Sequence, residues 1–144
     1  MKCGFRDTGN IVGNAMSFIL VPKNGEDIQI NAWNWRPTLE LLRDAEIIND
    51  ELFEGMGTHG CKAEVDATTA NRIADFIEVR LRAMKPEQRV LADLTVTDKP
   101  KKRVIFAPDT KIDQIDAIDL YSASYEWLVA FRDFSGTSGG FEVL

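Results

Sequence analysis

Residues 136–140, Gly-Thr-Ser-Gly-Gly, fit the G-x-S-x-G pattern of serine hydrolases, and His59, Asp93 and Ser138 follow one of the known chain orders of a catalytic triad. That chemistry needs a serine on a tight turn between a strand and a helix. Here a helical pattern precedes Ser138 and only six residues follow it. A glycine-rich turn that lets the chain reverse is the reading the sequence supports, and no catalytic residue is assigned.

His59 is the single histidine, and Cys61 stands two positions on. A thiolate beside an imidazole can act as a nucleophile, and the pair could supply two of the four ligands zinc normally takes. The other two are not in sight, so the expectation is a loop histidine, an inert cysteine and no metal site. The second cysteine, Cys3, stands in no motif spacing with Cys61, and both are read as reduced thiols. Asp109, Asp113, Asp116 and Asp119 alternate with Ile112, Ile115 and Ile118 at spacings near three. An EF-hand needs ligands at alternate positions, a central glycine and a closing glutamate. The spacing found suits a turn with isoleucines inward and a solvated acidic face. Lys99, Lys101, Lys102 and Arg103 form a short basic cluster, read as a charged hairpin tip. P-loop, dinucleotide, HExxH and CxxC patterns are missing, and no cofactor is expected.

Trp33, Trp35 and Arg36 are the most suggestive group. If 27–35 is a strand, period two sets Trp33 and Trp35 on one face with Asn31 and Gln29. Indoles beside amides can stack on a ligand ring or anchor a protein interface, and Arg36 can bind a carboxylate or phosphate. Tyr121, Tyr125 and Glu126 are weaker companions. The candidate binding residues are therefore Trp33, Trp35, Arg36 and Asn31. Burial of the indoles in the core is the rival reading.

The elements that must position these residues follow from periodicity. Strands are expected at 17–21 and 27–35, joined by an Asn24-Gly25 turn. A helix is expected from Pro37 to Ile48, with Leu41, Leu42, Ala45 and Ile48 on its apolar side. Residues 55–60 read as a flexible loop. Asp66 caps a helix over 67–84, with Ala70, Ile73, Ala74, Ile77, Leu81 and Met84 inward. Val90, Ala92, Leu94 and Val96 alternate with Leu91, Asp93, Thr95 and Thr97 as one half-buried strand, and a short strand is possible at 103–107. A third helix is expected over 122–134 with Trp127, Leu128, Phe131 and Phe134 inward, stopped by Ser135-Gly136, and the last four residues are a short strand or tail. The fold class is α+β: one domain of about three helices on a small, largely antiparallel sheet. Residues 1–15, rich in glycine and without period, read as a tail or an alternative start region ahead of a 16–144 body.

Trp-Arg-Pro-Thr-Leu at 35–39, Val-Leu-Ala-Asp-Leu-Thr at 90–95, Tyr-Ser-Ala-Ser-Tyr-Glu-Trp-Leu at 121–128 and the ending Ser-Gly-Gly-Phe-Glu-Val-Leu resemble a group of small bacterial proteins of no established activity. The resemblance covers most of 30–144. It implies a bacterial cytoplasmic protein carried on mobile or accessory DNA, and it transfers no functional residue.

Composition narrows the function. The chain has 144 residues, 44% of them apolar and 28% charged, which suits a packed domain. Its net charge of -6 argues against nucleic acid as a partner. No apolar run approaches the roughly 18 residues of a membrane span. Charge is uneven: residues 72–103 hold nine basic and five acidic side chains, and 104–144 hold two basic and seven acidic. The expectation is a small cytoplasmic protein-interaction module, immunity-like or antitoxin-like, that meets a protein partner through an aromatic face or charged edges. Homodimerisation is an open alternative. The runner-up is a small-molecule binder or minor enzyme with a pocket near Trp33, Trp35 and Arg36.

Overall fold

The computed structural model describes residues 17–58, 60–99 and 121–144. His59, the aspartate run and Lys101, Lys102 and Arg103 lie outside them, as do the expected strand at 103–107 and the 1–15 tail. Among the described residues four helices and two antiparallel sheets form the α+β fold.

The chain opens with β1 (Ser17–Pro22) and β2 (Ile28–Asn31), antiparallel, with Phe18 opposite Ile30 and Ile19 opposite Gln29. Residues 23–27 connect them, and only Gly25 takes a positive φ, at 106°. The two-residue Asn-Gly turn is thus replaced by a longer loop. Strand β7 (Phe141–Val143) pairs with β1 on one side and with β3 (Ala63–Val65) on the other, giving the order β2-β1-β7-β3. Residues 141–143 therefore form an inner strand, paired with the first described strand, β1.

Strand β2 stops where α1 (Ala32–Asp44) starts, with no loop between. Asn31 is the N-cap: its Oδ1 accepts from the Asn34 amide at 2.9 Å. This overturns the strand expected over 27–35 and the helix start expected at Pro37. Pro37 sits in the second turn of the helix, where its missing N–H omits one rung without ending the helix. A further helix, α2 (Asp50–Met56), capped by Asn49, takes in Gly55 and Met56, which read as loop in the sequence. Helix α3 (Ala67–Arg82) follows an Asp66 N-cap that accepts from the Thr69 amide at 2.7 Å, and Ala70, Ile73, Ile77 and Leu81 are buried as their spacing requires.

The expected strand over 90–97 is instead a hairpin, β4 (Arg89–Leu91) and β5 (Val96–Thr97). Leu94 takes φ 72° in its turn, and Asp93 Oδ1 accepts from the Thr95 amide at 3.0 Å. Strand β6 (Ser122–Ser124) pairs with β4 on the other side. Helix α4 (Tyr125–Ser138), capped by Ser124, packs along α3. It runs through Ser135 and Gly136, the expected stop, and ends at Gly139, which takes the left-handed φ of 71°.

The core lies between the inner sheet face and the helices. Phe18, Leu20, Phe141 and Val143 from the sheet meet Trp35, Leu39, Trp127 and Phe131, all buried. Trp35 packs edge-on against Trp127 and Phe131, with centroids 6.2 and 5.4 Å away, and Phe131 meets Phe141 at 6.1 Å. Aromatic rings favour such edge-to-face contacts because their faces are negative and their edges positive.

Candidate functional site

The four candidate binding residues stand around the start of α1, but not on a shared strand face. Residues two apart alternate by 200° around a helix, so Trp33 and Trp35 point apart. Trp35 turns inward and is 1% exposed, with its indole N–H donating to the Met56 carbonyl at 2.9 Å. That bond ties α1 to the end of α2. Trp35 is therefore a core residue, which corrects its place among the exposed candidates.

Trp33 remains half-buried, with Tyr121 against its ring, centroids 4.6 Å apart and planes tilted by 49°. Arg36 is exposed one turn later, at the i, i+3 spacing that places two side chains on one helix face. Asn31 is exposed and committed to capping the helix. The arrangement is an aromatic pair with a cation beside it and an amide at the helix start.

A buried polar relay fixes this end of α1. The Trp127 indole N–H donates to Thr38 Oγ1 at 2.8 Å, and the Thr38 hydroxyl donates to the Asn34 carbonyl at 2.8 Å. Asn34 Oδ1 accepts from the Ser124 amide at 2.9 Å, joining α1 to β6. The relay joins α1 to α4 and to β6 and fixes the end of α1 that carries Trp33.

The triad pattern dissolves in the same way. Ser138 is fully buried; its hydroxyl donates to the Ser135 carbonyl at 3.1 Å and accepts from the Gly140 amide at 3.1 Å. It finishes the helix and starts the turn. Asp93 is exposed in the β4–β5 turn, where the Thr95 amide, then the Thr95 hydroxyl, holds its carboxyl below the usual range. Cys61 is disulfide-bonded, which corrects the reduced-thiol expectation. Among the described residues no three His, Cys, Asp or Glu side chains gather around one point, and no helix is long and apolar enough to cross a membrane.

A second surface was not singled out in the sequence. The outward row of the main sheet carries Val21, Glu142 and Glu64 side by side across β1, β7 and β3. They line a hollow of about 440 Å³ together with Pro22, Lys23 and Asp66. The signal was present: Ala63-Glu64-Val65 and Phe141-Glu142-Val143 repeat one apolar–acid–apolar pattern. Paired antiparallel, they bring acid opposite acid.

Comparisons of this chain with protein families, with curated proteins and with solved structures find no match.

Proposed function

We propose that the chain is a small protein-interaction module that meets its partner at the start of α1, through Trp33, Tyr121 and Arg36, with Asn31 at the rim. The observation that carries this reading is Trp33 held half-exposed against Tyr121, one turn from an exposed Arg36. Trp, Tyr and Arg are the side chains most often found at energetic centres of interfaces, because they bury much area and keep a polar handle. The helix cap and the ring contact already hold Asn31, Trp33 and Tyr121 before binding, which lowers the side-chain freedom lost on association. An immunity-like or antitoxin-like role is the version that the acidic net charge of -6 supports, since acidic inhibitors suit basic enzyme sites. A bacterial, cytoplasmic setting and carriage on mobile DNA come from the resemblance alone.

Site-specific photocrosslinking in bacterial cells tests the proposal. A benzoylphenylalanine at position 33 should give a discrete adduct with one identified protein. The same group at Arg72, an exposed position on α3, should not, and R36E should abolish the adduct from position 33. Equal labelling from positions 33 and 72 refutes it.

A further inference from the structure

We propose that Asn24 is a site of self-modification: the Gly25 amide nitrogen closes on the Asn24 carboxamide, and the chain passes to an aspartyl or isoaspartyl form beside the end of α4. Asn24-Gly25 is the single Asn-Gly pair in the sequence. Both residues are exposed in the loop between β1 and β2. Ring closure is an intramolecular attack, so its rate depends on how freely the two groups can meet. Three features leave them free to do so. Gly25 has no side chain to shield its nitrogen, and a Cβ built there would meet nothing within 4 Å. Its N–H donates to no group among the described residues. The Asn24 carboxamide likewise makes no hydrogen bond among them. The other described asparagines differ. The Oδ1 atoms of Asn31, Asn34 and Asn49 accept from the amides of Asn34, Ser124 and Leu52. Asn71 lies within α3, where the amide that follows it is spent on the helical ladder.

Water and hydroxide are the only reagents the step needs. The Gly25 nitrogen gives up its proton to hydroxide and bonds to Asn24 Cγ. The Cγ–Nδ2 bond breaks, and the nitrogen leaves as ammonia with a proton from water. The cyclic imide then takes up a water molecule. Opening at the side-chain carbonyl gives aspartate; opening at the main-chain carbonyl gives isoaspartate, with an extra carbon in the main chain. Either product falls on a seam of the fold. The Lys23 and Asn24 amides donate to the Gly140 and Ser138 carbonyls at 3.0 and 2.9 Å, holding the loop on the end of α4. The Asn24 carboxamide rests on Gly139, where a Cβ would stand 2.6 Å from Nδ2. A carboxylate in that place sits at the negative end of the α4 dipole. Isoaspartate also lengthens the chain between this clamp and β2.

The test incubates the full chain in mildly alkaline buffer and samples it over time. Its tryptic peptide 24–43 carries Asn24, Asn31 and Asn34 together, because trypsin passes over Arg36-Pro37. Fragment masses should show conversion rising at Asn24 while Asn31 and Asn34 stay intact. Isoaspartyl methyltransferase should label the aged chain and leave N24Q unlabelled, since the larger ring that glutamine must form closes more slowly. The folded chain should convert within about tenfold of the rate of the free peptide Val-Pro-Lys-Asn-Gly-Glu-Asp-Ile, because nothing in the fold shields the pair. The purified isoaspartyl form and N24D should both melt below the fresh chain. Conversion spread over Asn31 and Asn34, equal labelling of N24Q, or a folded-chain rate more than about tenfold below the peptide's overturns the proposal. An isoaspartyl form and N24D that both melt with the fresh chain overturn the coupling to α4. The α1 reading is independent of all of these and stands or falls on the crosslink at position 33.

Discussion

Thr38 is where a single atom matters most. Its hydroxyl is the acceptor for the Trp127 indole and a donor to the Asn34 carbonyl, and the residue is fully buried. Thr38→Val keeps shape and volume but leaves the Trp127 indole N–H without its acceptor, while the Asn34 carbonyl keeps the helical bond from the residue-38 amide. Leaving a buried donor unpaired costs about 1–3 kcal/mol, so urea unfolding should show a midpoint shift of that size with unchanged m-value. A shift within error would mean that water replaces the hydroxyl. The residues flanking this relay show what the sequence made legible. Tryptophans and an arginine stood out by type, and the rival possibility of a core indole came true for Trp35. The face assignment failed because two-residue spacing means opposite things in a strand and in a helix. The deciding clue was Asn31 three residues before Asn34, a capping distance, and Pro37 masked it by marking a false helix start.

Two glycines near the end of α4 differ in what their elements require. Gly136 lies within the helix, and a Cβ there would meet only the Ala74 Cβ at 3.6 Å, an ordinary contact. Gly136→Ala should therefore raise stability by up to about 1 kcal/mol, the difference in helix propensity. Gly140 has φ 108°, and a Cβ there would stand 2.9 Å from the Val65 carbonyl oxygen, where β7 crosses the start of α3. Gly140→Ala should destabilise, because neither the backbone angle nor the carbonyl can give way. Thermal melts of the two variants should move in opposite directions. Long amphipathic elements such as α3 were legible because burial repeats every turn. The short ones were not: β3, β5 and α2 hold three, two and seven residues, too few for a period to emerge. The stretch over 90–97 alternated perfectly, yet Leu94 adopts a left-handed angle that its type does not announce. The turn there forms because Asp93 closes it on the Thr95 amide.

At the scale of the whole molecule, carboxylates tie separate elements together, and this sets its response to acid. Asp66 caps α3 by accepting from Thr69, Asp93 closes the β4–β5 turn, and Glu78 clasps α3 to α4 by accepting from Arg132 at 2.7 Å and from Arg82 at 2.9 Å. Each is held below the ordinary carboxylate range, Glu78 by its bond to Arg132 first and by Arg82 second. A carboxyl depressed in the folded state binds its proton more readily in the unfolded chain. Its contribution is therefore complete above the unfolded value, roughly pH 4, and fades as pH falls through the folded one. Asp66 and Asp93 are exposed and Glu78 is partly so, so each contributes little, and salt weakens them further. Denaturation midpoints should be flat from pH 7 to about 5 and decline below about 4. Glu78→Gln should flatten that decline, because its side chain no longer titrates, while lowering the midpoint slightly at pH 7. If the acid limb of Glu78→Gln matched that of the parent, the α3–α4 clasp would carry no linkage. The limb would then be assigned to Asp66 and Asp93, whose own Asn variants would have to flatten it.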